Sequence, residues 1–332
     1  MSQLPPLENP DMTMATETMA AEPVDTTEAT SGPQNLWRIA LRKFLQNPFA
    51  VGGSIVLLIF ILTAILAPWL TPYDPAKVDM LHTNLPPGAD GHLLGTDEIG
   101  RDIFTRLLYG GRISLVVGFA VAFCTVLIGT AIGAVSGYFG GWVDVILMRL
   151  VDVMNSIPLL FLNILIMALF GSGFKILIFV LSVTNWMGVA RLVRGTFLQL
   201  REMQYVEAAR AIGVSHGAII VRHLIRNATA PIIVNATLMV GGAILSESGL
   251  SYLGLGIQPP QASWGLMLSN AQNYMLTNPM EALYPGLCIL LVVLSVSFIG
   301  DGIRDALDPR YRVKISQRRL EQWRERFSKS RT

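Results

Sequence analysis

Apolar side chains follow one another with no polar stripe in six long runs, at about 49–70, 113–136, 146–170, 175–192, 229–249 and 285–303. Crossing the hydrocarbon core takes about 20 mostly apolar residues in a helix. In lipid every backbone polar group must also be bonded internally. The pattern therefore predicts an all-α, polytopic membrane protein with six transmembrane helices. Between the fourth and fifth runs the pattern changes. Tyr205, Ala208, Ala209 and Ile212 recur at steps of three and four, which predicts a short amphipathic helix with Arg201, Glu202 and Arg210 pointing elsewhere. Gly213, just past the last periodic residue, suits a left-handed helix end, and Ser215 is placed to cap a second helix. In that helix Ala218, Val221, Ile225 and Ala228 form the expected apolar stripe, with Arg222 and Arg226 on another face. The expected product is a helix-turn-helix hairpin at the membrane surface.

Composition agrees with a membrane protein: of 332 residues 52% are hydrophobic and 14% charged, against about a quarter charged in soluble domains. Charge placement sets the topology. With the N-terminus inside, twenty of the twenty-five Lys and Arg fall on the cytoplasmic side, leaving Lys77, Arg101, Arg106, Arg112 and Lys175 outside. N-in, C-in is thus expected, and the hairpin falls in the cytoplasm. Residues 1–34 carry Glu8, Asp11, Glu17, Glu22, Asp25 and Glu28 with no Lys or Arg, and read as a disordered acidic cytoplasmic tail without the basic start of a signal peptide. Residues 35–48 read as an interfacial amphipathic segment that ends at Asn47-Pro48. A six-helix bundle spans 49–312, with a cytoplasmic loop at about 193–228 and external loops at about 71–112 and 250–284. Residues 313–332 form a basic cytoplasmic tail, for which attraction to anionic headgroups is reason enough and nucleic acid is not an expected partner.

The first external loop holds Gly95, Thr96, Asp97, Gly100, Arg101 and Asp102. The spacing of Gly95 and Gly100 resembles the start of a phosphate-cradling loop, but Arg101-Asp102 stands where such a loop needs Lys followed by Ser or Thr, and no strand precedes it. The chain is therefore not expected to hydrolyse ATP. His82 and His92 fall on one side of the membrane and His216 and His223 on the other, so no metal site is expected. Cys124 and Cys288 sit in apolar runs as small core residues. Ser246, Glu247 and Ser248 lack a base at their depth, which argues against a nucleophile. Glu247 is a candidate for the pathway or a gate, because ionised groups in a span tend to face the bundle interior, and a hydrogen-bonded packing role competes evenly with it. Asp144, Arg149 and Asp152 predict a structural ion pair in which Arg149 neutralises either carboxylate. Pro158 and Pro285 are candidate kinks, and Gly129, Gly133, Gly241 and Gly242 candidate close helix contacts. Trp264, Tyr274 and Tyr284 suit either an interfacial belt or a docking platform.

Glu207-Ala208-Ala209, three residues, Gly213, then His223-Leu224-Ile225 resembles the Glu-Ala-Ala loop of bacterial importer permeases of the ATP-binding cassette class. Where that family usually has a proline this chain has Arg226, with Pro231 the next proline along. Four more blocks resemble the C-type subunit of the oligopeptide, dipeptide and nickel permeases: Gly95 to Asp102, continued through Arg106, Gly110, Arg112, Ser114 and Leu115; Gly137 to Trp142; Leu253 to Pro260 with Ser263-Trp264-Gly265; and Gly300 to Pro309. The resemblance covers roughly residues 37–314.

It implies a multi-pass subunit of the bacterial inner (cytoplasmic) membrane, paired with a homologous permease as a heterodimer. Two cytoplasmic ATP-binding subunits would drive it and an extracytoplasmic solute-binding protein would deliver dipeptides or oligopeptides. Glu207, Ala208, Ala209, Arg210 and Gly213 would then form the coupling helix that docks into an ATPase groove. The chain would need no cofactor of its own, ATP and Mg being bound by the ATPases. Nickel or another small solute is the alternative cargo. An ATPase-independent channel or carrier is the alternative mechanism, and a membrane-embedded hydrolase is disfavoured by the missing nucleophile and base.

Overall fold

The computed structural model describes residues 36–307. The acidic tail, the basic C-terminal tail and the Asp308-Pro309 end of the last signature block lie outside the described residues. Contacts divide the chain into a unit ending at Ile39 and one from Ala40 onward, which holds every span. Helix α1 (Leu36–Gln46) begins in the first unit. Within the second unit Asn47 accepts hydrogen bonds from the N–H groups of Phe49 and Ala50 and starts α2 (Pro48–Leu70), with Pro48 where a missing N–H costs nothing.

The remaining long helices are α3 (Ile103–Phe139), α6 (Phe174–Leu200), α9 (Arg226–Tyr252) and α11 (Met280–Leu307). Among the described residues five helices are long and apolar enough to cross a membrane, and six spans result when α4 (Gly141–Ser156) and α5 (Leu159–Phe170) count as one. That pair is the 146–170 run, and it bends by 86°. Pro158 disfavours helical geometry at the residue before it, and Ile157 is accordingly extended (φ −93°, ψ 125°). Pro285, by contrast, stands inside α11 without ending it. Among the described residues there is no strand, only an isolated antiparallel bridge between Thr96 and Asp102.

Helix α3 runs beside α6, and α9 packs on both α3 and α11. Gly129 and Gly133 permit the α3–α6 approach: a Cβ at Gly133 would collide with the Ala190 carbonyl, and one at Gly129 would lie 2.8 Å from that of Trp186. Gly241 has only ordinary contacts and Gly242 none within 4 Å, so of the four candidates only the α3 pair makes a close approach. The apolar cores are layered along the spans. One gathers Leu115, Ile244, Trp264 and Ile289 from α3, α9, α10 (Trp264–Ala271) and α11. Another, at the far end of α3 and α6, includes Ala134, Tyr138, Val193 and Phe197 and reaches into the hairpin. Large apolar side chains such as Phe49, Phe123, Trp142, Phe161 and Phe170 remain exposed, as an element meeting lipid or a partner requires.

Two sequence expectations change here. Arg149 neutralises neither carboxylate: Arg194 grips Asp144 through Nε and Nη2 at 2.5 and 2.6 Å, and Arg191 reaches Asp152 at 2.7 Å. Asp144 and Arg149 are five residues apart and so do not share a helical face, whereas Arg191 and Arg194 present both charges from α6. Trp264 is neither an interfacial anchor nor a platform. It is 1% exposed, and its indole N–H donates to the Leu107 carbonyl at 3.0 Å.

Candidate functional site

The hairpin is built by a sharp helix stop. Helix α7 (Gln204–Ala211) ends at Ile212, and Gly213 takes φ +81°, in the left-handed region that disfavours a Cβ. The Gly213 N–H donates to the Arg210 carbonyl and the Val214 N–H to the Ala209 carbonyl, both at 3.0 Å. This is the double-bonded Schellman closure, with Val214 and Ala209 in the same apolar cluster. Ser215 occupies the N-cap position of α8 (His216–Ala218), but its hydroxyl makes no capping bond.

The buried faces differ from the predicted stripes. In α7 the packed residues are Val206 and Ala209, while Ile212 is 81% exposed and Ala208 is exposed as well. Residues Ile219–Ile225 are π-helical, joining α8 to α9. The wider π turn moves the packed face to Ile219, Leu224 and Ala228 and leaves Val221 61% exposed. A stripe counted at 3.6 residues per turn cannot anticipate that shift.

The hairpin is held to the ends of α3 and α6 by polar as well as apolar contacts. Tyr138 at the end of α3 meets His216 Nδ1 at 2.7 Å, and the Arg210 guanidinium lies over the Tyr138 ring at 5.3 Å. Arg201 Nη1, at the end of α6, ties it to α3 by donating to the Gly137 carbonyl at 3.3 Å, and within the hairpin Asn227 donates to the Tyr205 hydroxyl at 3.2 Å. Glu207, Ala208, Arg210, Ala211 and Ile212 are left on the outer surface. What results is a capped helix, anchored on one face and presenting the other.

At the opposite end of α3 the loop signature folds onto the helix start. Asp102 is the N-cap: its Oδ2 accepts from the Thr105 N–H at 2.7 Å and the Thr105 hydroxyl at 2.6 Å, and its Oδ1 meets His92 Nδ1 at 2.8 Å. Thr96 donates to the His82 carbonyl at 2.5 Å and accepts from the Leu85 N–H at 2.9 Å. Asp97 accepts from Arg101 at both the backbone N–H (2.9 Å) and Nε (2.6 Å). Gly100 has φ +80°, and a Cβ there would strike the Asp79 carbonyl. The signature is thus a buried scaffold. Hydrogen bonding from His82, then from the Leu81 N–H, holds the Asp79 carboxyl at its margin below the usual carboxylate range.

Glu247 is fully buried where α3, α9 and α10 meet. Its Oε2 accepts from Ser114 at 3.0 Å and Ser248 at 3.4 Å, and its Oε1 from Ser251 at 2.8 Å. Ser263 caps α10, a helix the sequence pattern did not reveal because it is eight residues long inside a glycine- and proline-rich stretch. Also unforeseen is a convergence of Asp97 and Glu98 with Glu281 of α11, whose carboxylates lie within 4.8 Å of one another. The only sequence signal was an acid at the start of an apolar run.

Residues 129–313 match the family model described as binding-protein-dependent transport system inner membrane component. The chain belongs to that family. Residues 35–87 match the N-terminal TM domain of oligopeptide transport permease C. Similar relatives include a dipeptide transport system permease protein DppC of Alkalihalophilus pseudofirmus, 40% identical over 301 residues (89% of this chain, 99% of the relative). Another is the oligopeptide transport system permease protein OppC of Haemophilus influenzae, 42% identical over 280 residues (84% and 90%). Among solved structures, a chain of the inward-facing MetNI methionine ABC transporter matches 62% of this chain and 98% of its own length, with a TM-score of 0.53 at 18% identity, which shows a shared fold. Family membership makes this permease a multi-pass component of the bacterial inner membrane, working with permease, ATP-binding and binding-protein partners.

Proposed function

We propose that the chain is one half of the translocation path of an ATP-driven importer for dipeptides or oligopeptides. It pairs with a homologous permease as a heterodimer, is driven by two cytoplasmic ATPases and receives cargo from an extracytoplasmic binding protein. Both termini and the hairpin lie in the cytoplasm, in keeping with the Lys and Arg distribution. The peptide cargo is supported by what the DppC and OppC relatives are named for.

The observation that carries the mechanism is the hairpin's asymmetry: Val206 and Ala209 are buried against the ends of two spans, while Glu207, Ala208 and Ile212 face outward beside a closed left-handed cap. A stiff helix of this kind transmits displacement where a flexible loop would absorb it. In this reading Glu207, Ala208, Ala209, Arg210 and Gly213 form the coupling helix. When the ATPases close on ATP, the helix moves with its groove and rocks α3 and α6 toward the outward-facing state. Glu247 is the gate residue, because relative motion of α3 and α9 must carry or break its bond with Ser114. ATP and Mg stay with the ATPases, and the permease uses no cofactor of its own.

Affinity purification of the tagged full chain in mild detergent, followed by mass spectrometry, tests this reading. It is expected to recover a second permease, ATPase subunits and a binding protein, whose ligand screen with peptides and nickel then separates the cargo classes. A chain recovered alone or as a homo-oligomer contradicts the importer.

A further inference from the structure

The carboxylates of Asp97, Glu98 and Glu281 share one buried site with two guanidiniums, leaving a formal charge of one negative unit. Asp97 is saturated: Oδ1 accepts from the N–H groups of Ile99 and Arg101 at 3.1 and 2.9 Å, and Oδ2 takes Arg101 Nε at 2.6 Å, with Arg106 Nε at 3.6 Å. Glu98 Oε1 is held by Arg101 Nη2 at 3.0 Å. That leaves the acceptors Glu98 Oε2 and Glu281 Oε2 and the donor Arg106 Nη2, all buried and without a hydrogen-bond partner. Glu281 is 2% exposed and lines a small cavity with Asp97, Arg106, Met267 and Asn270. Its carboxylate lies within 4.8 Å of those of Asp97 and Glu98.

Two ionised carboxylates cannot meet in a buried site without strong repulsion, and each orphaned acceptor adds a desolvation cost. One proton removes both problems. It neutralises the residual charge and turns two unmatched acceptors into a donor and an acceptor. A divalent cation fits less well, since it would leave a net positive charge beside the Arg101 guanidinium and the Arg106 guanidinium, whose Nη2 is already unpartnered. We propose that Glu98 and Glu281 bind a single proton between them, forming a carboxyl–carboxylate clamp that fastens the Gly95–Asp102 loop to the head of α11.

The charged groups facing Glu281 are Asp97, Glu98 and Arg101 from the loop and Arg106 from α3. Helix α10 contributes only uncharged Met267 and Asn270, α2 carries no charged residue, and the Glu247 carboxylate of α9 is occupied by serines. A proton kept by the folded chain and lost by the unfolded one makes stability fall as pH rises.

The test is the thermal-denaturation midpoint of the full chain in nanodiscs between about pH 6 and about pH 9, for wild type, Glu281→Gln and Glu98→Gln. Infrared spectra of the same samples accompany it. Wild type is expected to lose about 2 °C or more as the pH rises, together with the carbonyl band of a protonated carboxyl. Either Gln variant, whose amide N–H stands in for the shared proton, is expected to hold its midpoint across the range and to lose intensity in that band relative to wild type. A flat wild-type profile with no protonated-carboxyl band overturns the proposal. So does an unchanged pH dependence in a Gln variant that folds, or stabilisation of wild type by Ca²⁺ or Mg²⁺ at constant pH that Glu281→Gln abolishes.

Discussion

Replacing Gly213 separates the cap's geometry from everything else at the hairpin. A Cβ at Gly213 meets no atom within 4 Å, so Gly213→Ala introduces no clash and acts only through φ +81°. An L-residue held in the left-handed region costs about 1–2 kcal/mol, a factor of roughly 5–30 in the closed-to-open ratio of the cap. Asn tolerates that region better, so Gly213→Asn is expected to cost less than Ala. Gly213→Pro is the severe case: it fixes φ near about −65° and deletes the N–H that donates to Arg210 at 3.0 Å. The assay is peptide uptake per ATP hydrolysed in proteoliposomes of the assembled transporter, with assembly checked by size exclusion. The predicted order is wild type, then Asn, then Ala, with Pro inactive and all four assembled to the same extent. Wild-type coupling in the Pro variant, or Asn as poor as Pro, refutes the claim that a closed cap transmits the stroke.

Further outcomes follow from single positions. Glu207→Lys, on the outer face of α7, is expected to abolish uptake while leaving membrane insertion and chain stability unchanged, measured by uptake and by fractionation. Gly133→Val drives a side chain into the Ala190 carbonyl and should destabilise the α3–α6 contact by about 1–3 kcal/mol. Gly242→Ala, with nothing within 4 Å, should leave the melting midpoint where it is. Asp144→Ala strips Arg194 of its bidentate partner at a part-exposed site and should cost about 1 kcal/mol after screening, with coupling to Arg194→Ala in a double-mutant cycle. Arg149→Ala should have no measurable effect on the same cycle.

The spans were legible because lipid leaves few solutions to the backbone's hydrogen-bonding demand, and apolar runs of the required length announce them. Their ends were less so. The second apolar run starts at about 113, yet α3 begins at Ile103, because Asp102 caps it and Arg106 reaches the Pro75 carbonyl at 3.0 Å and lies 3.6 Å from Asp97. A charge satisfied by a distant loop looks, in sequence, like the end of a span. The hairpin's existence and its Gly213 stop were readable from local chemistry. Its packed face was not, because a π-helical segment changes the residue count per turn and nothing in Ile219–Ile225 marks that in advance. Tertiary pairings such as Asp144 with Arg194 and Tyr138 with His216, and the convergence of Glu98 on Glu281, join residues whose separation hides them from any periodicity.

The central claim is that the outer face of α7 docks on an ATP-binding subunit. Ile212, 81% exposed beside Glu207 and the Gly213 cap, is the place to test it. An Ile212→Cys chain, in the transporter assembled with its ATP-binding subunits and treated with a short bismaleimide, is expected to form a covalent adduct with the ATPase subunit, absent in the parent chain and changed in yield by ATP. Labelling of the introduced thiol only from the extracytoplasmic side, or a thiol that reacts freely in the assembled complex without forming the adduct, contradicts the account.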